Sequence, residues 1–167
     1  MRRHVLVPVL LAALAAGCDS DSSPTSPSPT PPVGSTLTAA VRAAMEEAIV
    51  DEYRAETTYT GVVADLGALA PFTNVLTAEQ RHSASIANLF VNRGLTAPVN
   101  PWTLATVPHF GTFREACAAG VVAEQENIAI YDRYLGLDLP TDVRQVFESN
   151  RAASLLNHLP AFQRCAT

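Results

Sequence analysis

The sequence predicts an all-α fold, an antiparallel four-helix bundle with a long crossover between its second and third helices. Three observations carry this: apolar residues recur every three or four positions in four separate stretches, the outer two connections are short, and the middle one is long and proline-rich. At 167 residues and 48% apolar, the chain supports one modest globular domain and excludes a large multidomain enzyme. Its basic residues are eleven arginines and no lysine, against sixteen acids and a formal net charge of −5. No run of like charge occurs anywhere, which argues against nucleic acid as a partner, because phosphate binding needs a concentrated basic face.

The first stretch reads as an address. Met1-Arg2-Arg3 is a short cationic start, Val5 to Ala16 is an apolar run, and Gly17-Cys18 closes it with small residues. The run is too short to span a bilayer, which needs about 20 residues. Residues 18–35 are rich in Ser, Pro and Thr without apolar periodicity, and read as a semi-extended tether. Residues 36–167 are left to fold.

The first helix is expected between Leu37 and Leu66, where Val41, Met45, Ala48, Glu52, Ala55, Tyr59, Val62 and Leu66 form one face and Gly67 and Pro71 stop it. The second runs from about Thr73 to Asn92, with Leu76, Glu79, His82, Ile86 and Phe90 on its stripe and Gly94 past its end. The third spans about Thr112 to Leu135 through Cys117, Val121, Glu124, Ile128, Tyr131 and Leu135. Pro140-Thr141-Asp142 opens the fourth, whose apolar residues include Val143, Phe147, Leu155, Leu159 and Phe162, with Pro160 kinking or ending it. Connections over 67–72 and 136–140 make helices 1–2 and 3–4 antiparallel hairpins. The segment from Leu95 to Gly111 is long enough to cross from one end of a bundle to the other.

Three of these stripes carry a glutamate. An ionised carboxylate in an apolar stripe costs several kcal/mol unless it is paired or binds metal. Glu52, Glu79 and Glu124 therefore need partners, either an arginine at the stripe's edge, such as Arg54, Arg81 or Arg151, or a metal ion. Glu79-Gln80-Arg81-His82 sharpens the second choice, because residues three apart on a helix share a face and can reach one ion. An internal echo runs through the chain: Glu52 is followed seven residues later by Tyr59, and Glu124 seven later by Tyr131, with His158 on the last helix as the second hairpin's histidine.

A helix with a stripe Glu, a helix with E-x-x-H, a long crossover, a helix with a stripe Glu and a helix with His resemble the ferritin-like superfamily, rubrerythrin relatives especially. The strings Asp51-Glu52-Tyr53-Arg54-Ala55, Ala78-Glu79-Gln80-Arg81-His82 and Asn157-His158-Leu159-Pro160-Ala161-Phe162 are similar to ferritin-like domains of exported bacterial and archaeal proteins. The resemblance covers residues 37–165. It implies a carboxylate-bridged di-iron centre, with Glu52, Glu79 and His82 on one metal and Glu124 and His158 on the other, iron as the metal and manganese as the alternative. It also leaves room for a homodimer. Leu14-Ala15-Ala16-Gly17-Cys18 resembles a bacterial lipobox, which implies lipidation of Cys18, a membrane anchor and an extracytoplasmic place in the cell envelope. The other reading is cleavage near Ala16 with Cys18 left free.

The second half departs from the family pattern. A bridging Glu is expected three residues before His158, where Leu155 stands, and Asn127 occupies a position where rubrerythrins carry a further carboxylate. The pattern thus leaves the metal of His158 short of a ligand, and a two-metal, a one-metal or a vestigial site all remain open. Glu148 lies about 15 Å along the helix from His158, too far to substitute, and is expected to pair with Arg144 or Arg151; Glu126 is expected to face solvent. Cys117 and Cys165 fall at one end of the second hairpin, and an exported chain meets an oxidising compartment, so they are expected either to form a disulfide or to remain two buried thiols. His109 reads as a loop histidine, and Tyr59 and Tyr131 as core residues with satisfied hydroxyls, the other readings being electron relay or a bond to a ligand carboxylate. No CxxC pair, nucleophile triad or phosphate loop is present. Three functions follow: a redox enzyme reducing peroxide or oxidising Fe(II), a metal-binding lipoprotein without turnover, and a structural surface domain.

Overall fold

The structure, a computed structural model, describes residues 37–167; the leader, the tether and Cys18 lie outside them. Every regular element among the described residues is helical: α1 (Ala39–Leu66), α2 (Phe72–Val91), α3 (Phe113–Leu135) and α4 (Thr141–Ala153), the last continued by a π turn (Ser154–His158) and α5 (Leu159–Ala166).

Local chemistry sets the ends. The Thr38 hydroxyl accepts from the Val41 amide at 3.2 Å to open α1, and Gly67, at φ 98°, closes it in a backbone region that side chains avoid. A reciprocal capping box between Thr112 and Glu115 opens α3. Asp142 places a negative charge in the first turn of α4, where the helix dipole favours it.

Contacts fix the topology. One apolar cluster joins Met45 to Phe90 and the other joins Val62 to Phe72, so α1 and α2 are antiparallel. Arg54 meets Glu126 and Arg133 meets Glu47, so α1 and α3 are antiparallel as well. Asn150 meets both Ser85 and Tyr131, setting α4 against α2 and α3. Helices α2 and α3 therefore run the same way, and the segment between them returns the length of the bundle. It is pinned along α1 as it goes: Tyr53 donates to the Pro98 carbonyl, Trp102 Nε1 to the Val50 carbonyl at 3.0 Å, and His109 pairs with Asp65.

Two apolar clusters fill the bundle. One holds Met45, Ile49, Ile86, Phe90, Val143 and Phe147; the other holds Tyr59, Val62, Phe72, Cys117 and Phe162. In the second, Cys117 and Cys165 are joined as a disulfide, closing a 48-residue separation worth about 4 kcal/mol on the chain-entropy argument. Gly120 lies so close to the Phe162 ring that a Cβ there would stand 2.8 Å from it. Glycine is thus what lets α5 pack on α3 beside the disulfide. Between the two clusters lies a polar layer.

The fourth helical rod departs from expectation in one place. Pro160 neither ends nor sharply breaks it; the chain passes through the π turn, whose closing bond runs from the Leu159 amide to the Ser154 carbonyl, and continues to Ala166. Val143, Phe147, Asn150, Ser154, His158 and Phe162 form the buried row. From Val143 to Phe162 the row takes 19 residues over five turns, whereas an unbroken α-helix takes about 18. The π turn absorbs the extra residue. Leu155 and Leu159, expected among the apolar residues of this helix, are half-buried at its side.

Candidate metal centre

The polar layer gathers side chains from all four helical rods. Glu52 comes from the middle of α1, Glu79 and His82 from α2, Glu124 from α3 and His158 from the π turn, all buried. Among the described residues no arginine pairs with any of the three glutamates: Arg54 binds Asp51 and Glu126, Arg151 binds Asp132, and Arg81 is exposed. Their side-chain partners are the two histidines, together with Tyr59, Tyr131 and Asn127.

Glu79 is the centre of the arrangement. Its Oε2 lies 2.9 Å from His82 Nδ1 and its Oε1 lies 3.0 Å from His158 Nδ1. Glu52 Oε2 stands 3.4 Å from the same His82 Nδ1, and Glu124 Oε2 stands 3.3 Å from His158 Nδ1. The order is Glu52, His82, Glu79, His158, Glu124, with the two imidazole rings stacked at 5.4 Å. Glu79 thus faces both histidines, whereas the family resemblance assigned it with Glu52 and His82 to a single metal. One ligand atom from each of Glu79, His82 and His158 can be chosen so that all three lie within 4.8 Å of one another, a spacing that one ion can span.

The tyrosines explain the sequence echo. Tyr59, seven residues after Glu52, donates to Glu124 Oε1 at 2.8 Å, and Tyr131, seven after Glu124, donates to Glu52 Oε1. Each hairpin's tyrosine orients the other hairpin's glutamate. These bonds occupy the Oε1 atoms and leave Oε2 of Glu52 and of Glu124 facing the histidines. Both Oε2 atoms, and His158 Nδ1, are buried without a hydrogen-bond partner. Buried acceptors are rarely left so, and a cation between carboxylate and imidazole would satisfy all three.

The electrostatics follow from burial and crowding. Burial, with Glu79 beside it, raises the Glu52 carboxyl to about 7. Burial lowers His82 and His158, but the adjoining carboxylates outweigh it and lift them to about 10 and about 9. Burial raises Glu79, yet its two histidines prevail and hold it below the ordinary glutamate value.

Around this core lies a polar network that the sequence reading only partly identified. Asn127 donates to Asp51 Oδ2 at 3.0 Å and to Glu52 Oε1 at 3.2 Å, and accepts from Ser154 Oγ at 2.9 Å. Asn150 donates to the Tyr131 hydroxyl at 3.1 Å. Asp51, Asn150 and Ser154 were not singled out, although Asn150, Ser154 and His158 recur at intervals of four, a polar row on an otherwise apolar face. Leu155, three residues before His158, does not stand where a bridging carboxylate would. The π turn sets it aside, and Ser154, four before His158, occupies the inward position.

The remaining residues fall as follows. Glu126 is exposed and paired with Arg54; Glu148 approaches Arg144 at 3.9 Å. His109 is exposed, bonded to Asp65 and to the Leu104 carbonyl at 2.8 Å. Cys18 is outside the described residues.

No family model matches the chain, and no curated protein does. Among solved structures, a conserved hypothetical protein of Mycobacterium tuberculosis is similar at 17% identity and a TM-score of 0.65, the match covering 77% of this chain and 98% of that one. At that identity the likeness speaks for the fold alone, an all-helical bundle.

Two openings lead toward the layer. A polar cleft of about 750 Å³ between α2 and the fourth rod reaches His82 and His158, with Arg81 and Arg164 at its sides. A smaller cavity of about 350 Å³ between α1 and α3 reaches Tyr59 and Glu124.

Proposed function

We propose that this chain is a ferritin-like metal protein in which Glu79 is shared between two ions, one held with Glu52 and His82 and the other with Glu124 and His158. The observation that supports it is the alternation of three carboxylates with two imidazoles, with three buried ligand atoms left without partners. Hard carboxylate oxygens with imidazole nitrogen suit iron, with manganese as the alternative. Bound iron would supply one-electron redox chemistry for reducing peroxide or oxidising Fe(II). The chain's own residues orient the glutamates through Tyr59 and Tyr131, flank the layer with apolar clusters, and offer His82 and His158 as the groups that would give up protons on binding.

The test is titration of Fe(II), Mn(II) and Zn(II) into the full chain and its Glu79→Ala and His82→Ala variants, following melting temperature and proton release. Binding is expected to raise the melting temperature of the wild type alone and to release protons. The shift should grow with pH. His82 and His158 have raised values, so their pairing stabilises the metal-free fold fully below about 6.5 and loses that contribution as pH rises through about 9 and about 10. Metal then meets less competition from protons. Equal shifts in all three proteins, or none with any metal, would leave a structural bundle as the reading to adopt.

Export and anchoring through Cys18 belong to the same proposal. Their support is the leader pattern and the Cys117–Cys165 disulfide, a bond favoured outside the cytosol. Cys18→Ala should release the protein from membranes into the extracytoplasmic fraction; membrane retention equal to wild type contradicts the anchor.

A further inference from the structure

The cavity between α1 and α3 differs from the polar cleft on the opposite side of the layer. Small side chains make its room: Ala55 on α1 and Ala119 and Ala123 on α3 line it together with Phe72 and Phe110, and it opens to solvent past Pro108 and Val122. Any larger residue at those three alanines would fill the space, and alanine there leaves neighbouring helices separated where they could have interlocked. The ion pairs of Arg54 with Asp51 and Glu126 stand at its polar margin. At its other limit are Tyr59 and Glu124, the latter 2% exposed and carrying the unpartnered Oε2 that faces His158.

We propose that this cavity is a binding site for a small uncharged apolar molecule, held with one end against the Glu124 side of the metal centre. The proposal rests on the metal-centre reading for the chemistry beside the pocket, but not for the binding itself. Size and lining define the ligand. An apolar cavity of about 150 Å³ holds benzene, so about 350 Å³ has room for a compact molecule of roughly twice that size. A charged ligand would have to leave its ion unpaired among Ala55, Ala119, Phe72 and Phe110, which costs several kcal/mol. The Arg54 guanidinium is already committed to two carboxylates. Pairing a polar cleft onto the histidines with an apolar pocket onto Glu124 gives the centre two approaches of opposite character.

Naphthalene, two fused rings without charge, is the probe. Added to the metal-free full chain with labelled alanine methyls, it is expected to shift Ala55, Ala119 and Ala123 saturably. Ala119→Phe, which fills the cavity from α3, and Ala55→Leu, which fills it from α1, should each weaken binding roughly tenfold or more, as read from Ala123. Both variants should keep the disulfide and the rise in melting temperature produced by Mn(II). Absence of a saturable shift in the wild type, or undiminished binding in both folded variants, overturns the proposal. A wild type that takes naphthalene but shows no Mn(II) effect removes the metal centre and leaves the pocket standing.

Discussion

The α1–α2 hairpin brings Glu52, Glu79 and His82 to the middle of the bundle, whereas the hairpin of α3 with the fourth rod brings Glu124 and His158 and places Ser154 where a further carboxylate would stand. Each hairpin also contributes a tyrosine that binds the other's glutamate, so the two hairpins hold each other's carboxylates reciprocally. The difference between them is confined to the shared position. In the first hairpin the inward residue one turn before the histidine is an acid; in the second it is a hydroxyl tied to Asn127. One bridging carboxylate serves two histidines, and the neutral network of Asn127, Asn150 and Ser154 occupies the rest without adding charge. Three carboxylates face two imidazoles, and the fourth buried acid beside them, Asp51, is paired with Arg54.

Removing the shared carboxylate is the strongest way to break this comparison. Glu79→Ala should abolish the metal-induced rise in melting temperature for both halves and destabilise the metal-free chain by about 3–5 kcal/mol, since two imidazoles lose their common partner. Chemical denaturation measures the second effect. Glu52→Ala and Glu124→Ala should each affect one half; if either equals Glu79→Ala in metal binding, the sharing is wrong.

Next in size is the disulfide, which belongs only to the second hairpin. Replacing Cys117 and Cys165 by Ser should cost about 4 kcal/mol in denaturant unfolding, with metal binding preserved because the bond lies in the apolar cluster beyond the layer. Loss of metal binding in a folded double variant would tie the two features together and contradict their separation.

The smallest effects separate Ser154 from Leu155. Leu155→Glu should leave metal affinity unchanged, because that side chain lies at the side of the rod. Ser154→Asp should strengthen Mn(II) binding by adding a ligand on the inward row. The reverse outcome would place the helix in the register of an unbroken α-helix and remove the π turn.

Much of this was legible in the sequence because period and spacing report faces. The four amphipathic stretches, the short outer connections and the long proline-bearing segment give the bundle and its crossover, and the helices begin and end within a few residues of their caps. The glutamates stood out because acids in apolar stripes are costly, and Cys117 and Cys165 because the hairpin brings them to one end. What spacing could not give is the second half of the site. A residue three before a histidine shares its face only in an unbroken α-helix, and the π turn before Pro160 changes that local rule, so Leu155 was taken for the inward position in place of Ser154. Asp51 was missed because it lies one residue off the Glu52 stripe, in a row whose burial depends on how closely α3 approaches. The cross-hairpin tyrosine bonds were visible only as an echo of sevens, since which glutamate each hydroxyl reaches is a fact of packing.

The central claim is that Glu79 lies between two metal positions, each completed by one histidine and one further glutamate. Anomalous diffraction at the manganese edge, from crystals of the protein grown with Mn(II) at neutral to mildly alkaline pH, tests it most directly. The account predicts two peaks flanking the Glu79 carboxylate, one between Glu52 and His82 and one between Glu124 and His158, both absent from Glu79→Ala crystals. No peak in the polar layer, with His82 and His158 still closed on Glu79, would contradict it.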